Sequence, residues 1–124
     1  LWPGLAQEFP PAAEQPDLEE LKKRFLYSQA NETAQTLEEG VLETPEDADL
    51  GAIYGWGFPA WTGGTLSYID TVGIATFVAE ADRLAQLYGS RFAPSAWLRA
   101  KAEKGEGFYP AATAAAAPAA KELA

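Results

Sequence analysis

Between Leu18 and Val41 the apolar residues Leu18, Leu21, Phe25, Leu26, Ala30, Ala34, Leu37 and Val41 recur at steps of three and four. That spacing places side chains on one stripe of an α-helix. It predicts a long amphipathic helix, about 35 Å at roughly 1.5 Å per residue. Asp17 and Glu20 form an acidic capping box at its start, where both acids complement the helix dipole, and Gly40 marks its end. Thr44-Pro45-Glu46-Asp47 is a second helix start, with Thr44 as cap and Pro45 in the first turn, where a missing amide costs nothing. Leu50, Ile53 and Tyr54 supply the inward face of this short helix. Leu66, Tyr68 and Ile69 predict a brief helix closing at Asp70-Thr71, with Asp70 as cap of the next one. The clearest period in the chain follows in Ile74, Phe77, Val78, Ala81, Leu84, Ala85 and Tyr88, stopped by a left-handed Gly89. A last helix runs from Ser95 to Lys104, ends at Gly105 and turns Trp97 and Leu98 inward, after which Phe108 and Tyr109 tuck back onto the body. No segment alternates as a strand does, so the pattern is all-α.

One stretch interrupts these helices. Tyr54-Gly55-Trp56-Gly57-Phe58-Pro59-Ala60-Trp61-Thr62-Gly63-Gly64 combines glycines, which permit positive φ and close approach, with a proline that forces the preceding residue into extended backbone. Its large side chains Trp56, Phe58 and Trp61 are expected to be buried against the flanking helices or a partner surface. Before the long helix, Pro3, Pro10, Pro11 and Pro16 break residues 1–16 into a linker arm in which no helix is expected. Leu1, Trp2, Leu5 and Phe9 suggest that this arm lies along a surface. Residues 17–110 form the expected helical domain, and 111–124 an alanine-rich tail, mobile or loosely helical.

A chain of 124 residues supports one domain with a core. Its net charge of -9 argues against nucleic acid or an anionic membrane surface as partner. The cluster Lys22-Lys23-Arg24 reads as a solvated helix face. The chain contains no cysteine and no histidine, which removes disulfides, thiolate chemistry, imidazole base catalysis and the usual zinc sites. Carboxylates alone could still hold a metal, but Glu19-Glu20, Glu38-Glu39 and Glu46-Asp47 fall where helix ends use them. The expectation is therefore no catalytic, cofactor-binding or metal residue in this chain. Neither a membrane-spanning run nor a signal peptide is read, which predicts a cytoplasmic protein. The first residue is not Met, so the chain is expected to be a processed product or a piece of a longer one.

The segments Leu37-Glu38-Glu39-Gly40-Val41, Thr44-Pro45-Glu46-Asp47-Ala48-Asp49, Gly55-Trp56-Gly57-Phe58-Pro59-Ala60-Trp61-Thr62-Gly63-Gly64 and Tyr68-Ile69-Asp70-Thr71-Val72-Gly73, followed by Arg91-Phe92-Ala93-Pro94 and Phe108-Tyr109-Pro110, stand in one order. Together they resemble the carboxy-terminal domain of 3-hydroxyacyl-CoA dehydrogenases, most closely the last repeat of the multifunctional fatty acid β-oxidation protein. The resemblance spans about Leu1 to Pro110. It implies an all-α domain of the 6-phosphogluconate dehydrogenase C-terminal-like type, with one long helix and roughly four shorter ones.

The resemblance also implies that the reacting groups lie elsewhere. In that family NAD binds a Rossmann domain with a Gly-rich turn, and a His-Glu pair there moves the substrate proton. This chain has neither the turn nor a histidine. The catalytic copy of the repeat opens its long helix with an Asn-Arg pair whose Asn reaches substrate, and Lys23 and Arg24 occupy those positions here. It also reads Gly-Tyr-Pro-Met-Gly-Pro where Gly57-Phe58-Pro59 is followed by Ala60 and Trp61. Both departures imply a second, non-catalytic copy that packs against the catalytic one. The packing and interface candidates are Phe25, Leu26, Trp56, Phe58, Pro59 and Trp61. The implied partners are the preceding dehydrogenase domains of one polypeptide, which would bring NAD and acyl-CoA, and a thiolase subunit or a second copy. Two alternatives remain open: a module whose aromatic turn binds acyl-CoA or pantetheine, with Lys22, Lys23 and Arg24 meeting phosphates, and an unrelated helical adaptor.

Overall fold

The computed structural model describes residues Leu1–Pro110; the alanine-rich segment 111–124, read above as a tail, lies outside the described residues. Six α-helices and two 3-10 turns, with no strand, make up the described chain. They are α1 (Leu5–Glu8), α2 (Leu18–Glu38), α3 (Pro45–Trp56), α4 (Thr65–Val72), α5 (Ile74–Tyr88) and α6 (Ala96–Lys104), with 3-10 turns at Ala60–Thr62 and Ser90–Phe92.

Local chemistry accounts for the boundaries. The Asp17 carboxylate accepts from the Glu20 amide at 3.0 Å, so half of the expected capping box forms. The other half does not, because Glu20 turns to Arg83 instead. Thr44 caps α3 by accepting from the Asp47 amide at 3.1 Å, with Pro45 in the first turn. This helix continues past Gly55 to Trp56 and stops at Gly57, which is left-handed. Ser95 caps α6 through the Leu98 amide. Between α4 and α5 stands one residue, Gly73, at φ +91° and ψ 120°, a backbone state that side chains with a Cβ rarely adopt. Asp70 is therefore not the cap of α5 that the sequence suggested. It sits inside α4 and accepts from the Phe108 amide at 2.9 Å and the Tyr109 amide at 3.0 Å, which pins the final loop to the body.

The core gathers where α2, α4, α5 and α6 meet. Phe77, Leu66, Ile69, Leu84 and Leu98 are fully buried, and Tyr27 stacks on Phe77 with ring centroids 4.4 Å apart. Burying each such side chain contributes roughly 1.5–3 kcal/mol. Two inward faces differ from the periodicity. On α2 the predicted stripe is buried at Ala30 and Ala34, half-buried at Leu21, Leu26 and Leu37, and exposed at Leu18, Phe25 and Val41, while Tyr27, Asn31 and Thr33 are buried outside it. On α3 they are Ala48, Asp49 and Ala52, while Leu50 and Tyr54 point outward. The reason is shared: small residues let helix backbones approach, so Ala30, Ala34, Ala48 and Ala52 win the inner positions over larger apolar neighbours. The arm also departs from expectation, since α1 adds a single helical turn and Leu1, Trp2 and Phe9 are exposed rather than laid against the body.

A buried carboxylate organises the second half of the fold. Asp49, on α3, accepts from the α4 amides of Leu66 at 2.6 Å and Ser67 at 3.1 Å, from the Ser67 hydroxyl at 2.7 Å and from the Tyr109 hydroxyl at 2.7 Å. It thus acts as the cap of α4 from another helix, a task the Gly64 position leaves undone. Gly64 has φ +121°, and a Cβ there would collide with the Asp49 side chain. Burial and the bond to Asp49 raise the Tyr109 phenol above its ordinary pKa.

Ion pairs tie the outer faces. Arg83 on α5 reaches Glu20 of α2 at 2.7 Å and Glu80 at 2.8 Å, and Lys23 meets Glu80 at 2.9 Å. Arg99 of α6 makes a two-bond contact with Asp82 of α5. Hydrogen bonds from Arg83 first, then Lys23, lower the Glu80 pKa from 4.5 to about 2.

Two outcomes follow from these contacts. Asp49→Ala and Gly64→Ala should each lower unfolding free energy by about 2–4 kcal/mol, read from urea midpoints, because a charged cap and its buried donors are lost or displaced. Glu80 has a depressed folded pKa, so its stabilisation is complete above about pH 4.5 and vanishes as pH falls towards about 2. Glu80→Gln should therefore flatten the pH dependence of the urea midpoint within that window and leave that due to Glu20 and Asp82, whose pKa values are also lowered.

Candidate interaction surface

The aromatic turn divides by burial. Phe58 is 2% exposed and meets Tyr68 edge-on with centroids 6.4 Å apart. Trp56 and Trp61 are 58% and 83% exposed, so the flanking helices do not bury them, contrary to half of the expectation. The 3-10 turn Ala60–Thr62 carries Trp61 outward, and the Thr62 hydroxyl donates to the Pro59 carbonyl at 2.7 Å. Trp56 is held by its indole Nε1, which donates to Gln29 Oε1 of α2 at 2.8 Å. That bond fixes the ring at one end of a groove.

The groove encloses about 750 Å³ and is lined by Ser28, Gln29, Glu32, Thr33 and Thr36 of α2, by Val41 and Leu42 after it, and by Trp56 and Arg91. A smaller hollow of about 190 Å³ continues it past Leu21, Arg24 and Phe25, sharing Ser28 and Arg91. Phe25 lies on this strip and is exposed; Leu26 and Pro59 are half-buried. Of the packing and interface candidates, Phe25 and Trp56 therefore share one face, and Phe58 belongs to the interior. The sequence singled out neither Arg91 nor the hydroxyl side chains of α2. Their signal was present in the spacing Ser28, Glu32, Thr36, but polar residues carry little weight in a search for apolar stripes.

Among the described residues no group of three or more His, Cys, Asp or Glu could hold a metal ion, and no helix is long and apolar enough to cross a membrane. The buried Asp49 and the half-buried Asp70 are consumed by backbone amides and hydroxyls. Residues 21–110, which take in everything from the first turn of α2 to the loop pinned by Asp70, match the family described as 3-hydroxyacyl-CoA dehydrogenase, C-terminal domain. The chain belongs to that family.

Its all-α order agrees with the helical domain that the family implies. Fatty acid oxidation complex subunit alpha of Pseudomonas savastanoi pv. phaseolicola is 51% identical over 78 residues, which cover 63% of this chain and 11% of that protein. The protein of the same name from Shewanella amazonensis is 43% identical over 90 residues, 73% of this chain and 13% of the relative. The chain thus spans about a ninth to an eighth of the length of these relatives. As a member of this family, the domain keeps its aromatic bend partly in its own core and partly on its surface.

The split has a measurable counterpart. Phe58→Ala should cost about 3–5 kcal/mol of unfolding free energy, as other core phenylalanine truncations do. Trp61→Ala should stay within about 0.5 kcal/mol, because the indole touches little. Chemical denaturation of the two variants separates them.

Proposed function

We propose that this chain is the second, non-catalytic helical domain of an NAD-dependent 3-hydroxyacyl-CoA dehydrogenase of fatty acid β-oxidation, in a polypeptide that also carries enoyl-CoA hydratase activity. Residues 17–110 form the packing unit, which supports the dehydrogenase part by covering it with helix. NAD and acyl-CoA belong to the parent protein, whose further contacts would include a thiolase subunit or a second copy. The observation that carries the reading is the exposure of Phe25, Trp56 and Trp61, joined by Leu50 and Tyr54, on a chain without histidine or cysteine. Phe25 and Trp56 share one face, and large apolar groups left exposed serve contact with another surface. A chain equipped in this way offers packing area rather than a general base.

The test uses the intact Pseudomonas savastanoi subunit. Replacing its matched segment with the corresponding residues of this chain should preserve NAD-dependent oxidation of a 3-hydroxyacyl-CoA, and deleting that segment should abolish it. This chain alone, given NAD and the same substrate, should give no turnover. An inactive but folded and soluble chimera, or turnover by the isolated chain, would overturn the reading.

A further inference from the structure

Four polar side chains along the groove, Ser28, Gln29, Thr33 and Thr36, turn their hydrogen-bonding groups away from an occupant. The Ser28 hydroxyl donates to Phe25 O, the Thr33 hydroxyl to Gln29 O, and the Thr36 hydroxyl to Glu32 O and Thr33 O. The Gln29 amide donates to Phe25 O while its oxygen takes the Trp56 indole. With these groups committed to α2 and Trp56, the groove presents methyl, methylene and indole surface between the charged groups of Glu32 and Arg91. The residues Leu21, Phe25, Ser28, Glu32 and Thr36 step by four and three along about 22 Å at roughly 1.5 Å per residue, the row spacing that one helix offers to another.

Charge narrows the occupant. Lys22, Lys23, Arg83 and Arg99 each have a carboxylate partner. Arg24 and Arg91 make no ion pair among the described residues, and both line the same strip. Arg24 lies over the Tyr88 ring at 4.3 Å, and Arg91 is exposed. Glu32 also lines the groove and makes no ion pair among the described residues, so the smaller hollow, where Arg24 and Arg91 stand and no carboxylate does, is where negative charge from outside is met. An acyl chain fits less well, because a small ligand needs most of its surface enclosed and this groove is open along its length.

We infer that the α2 groove is the docking site for an amphipathic helix of about four turns, whose apolar stripe lies on Phe25, Val41, Leu42 and Trp56 and whose acidic flank meets Arg24 and Arg91. This rests on the packing role proposed above and names the face and the chemistry it uses.

The test mixes this chain with two fluorescein-labelled 18-residue helical peptides that share one leucine stripe and differ only in glutamate or lysine flanks. Fluorescence anisotropy should give at least tenfold tighter binding of the glutamate peptide. Arg24→Glu combined with Arg91→Glu should reverse that preference, and Phe25→Asp should weaken both peptides tenfold or more. Ala79→Glu, on the outer face of α5, should change nothing. Equal binding of the two peptides, no binding of the glutamate peptide, or loss through Ala79→Glu rather than Phe25→Asp would overturn the inference. So would saturable, Arg91-dependent binding of decanoyl-CoA that displaces the peptide, which would make the groove an acyl-ligand site. An active chimera with any of these results would leave the packing role standing and remove the helix, whereas an inactive chimera would remove the packing role itself.

Discussion

The Asp49 carboxylate is the contact on which the second half of this fold depends. A helix of eight residues has too few internal bonds to form alone, and its first amides have no partner within it. Asp49 answers both problems at once by binding Leu66 and Ser67 amides from a neighbouring helix, and it extends the same grip to the Tyr109 hydroxyl 60 residues along the chain. One buried charge thereby sets the distance between α3 and α4 and closes the final loop over them. Asp70 repeats the arrangement from the opposite direction by holding the amides of Phe108 and Tyr109. A Cβ at Gly107 would lie 2.8 Å from the Asp70 oxygens, so loop and carboxylate meet at backbone range.

These two aspartates explain why part of the fold was legible and part was not. Helix starts at Asp17, Thr44 and Ser95 follow from local capping chemistry, and the stripe Ile74, Phe77, Ala81, Leu84 on α5 follows from its period. Those signals lie within a few residues of what they control. Asp49 and Asp70 act across 17 and 38 residues, and nothing beside them in the chain distinguishes a cap in trans from an ordinary surface acid. The face of α3 and the exposed members of the α2 stripe were misjudged for a related reason. Periodicity ranks Leu18, Phe25, Leu50 and Tyr54 above alanine, whereas close helix contact selects alanine and leaves bulk outside.

The same limit governs the candidate surface. Trp56, Phe58 and Trp61 were legible as large apolar groups in need of cover, but which of them the chain covers for itself depends on the path of a bend whose glycines permit several. The groove was legible only at Phe25 and Trp56. Its Ser, Thr and Gln residues count as polar in any composition, and only their bonds to α2 carbonyls and to the Trp56 indole turn them into apolar wall. A surface can therefore be greasier than its sequence.

Gly73 adds a constraint of a different kind. Because a lone residue joins α4 to α5, the register between Ile69 on one and Phe77 on the other has no slack. Adding a residue within α5 ahead of Phe77 would swing the following side chains by about 100° around the axis, carrying Phe77 and Leu84 away from Tyr27 and Leu98. The proline-rich stretch between Phe9 and Leu18 carries no buried residue, so length added there would leave the core register unchanged.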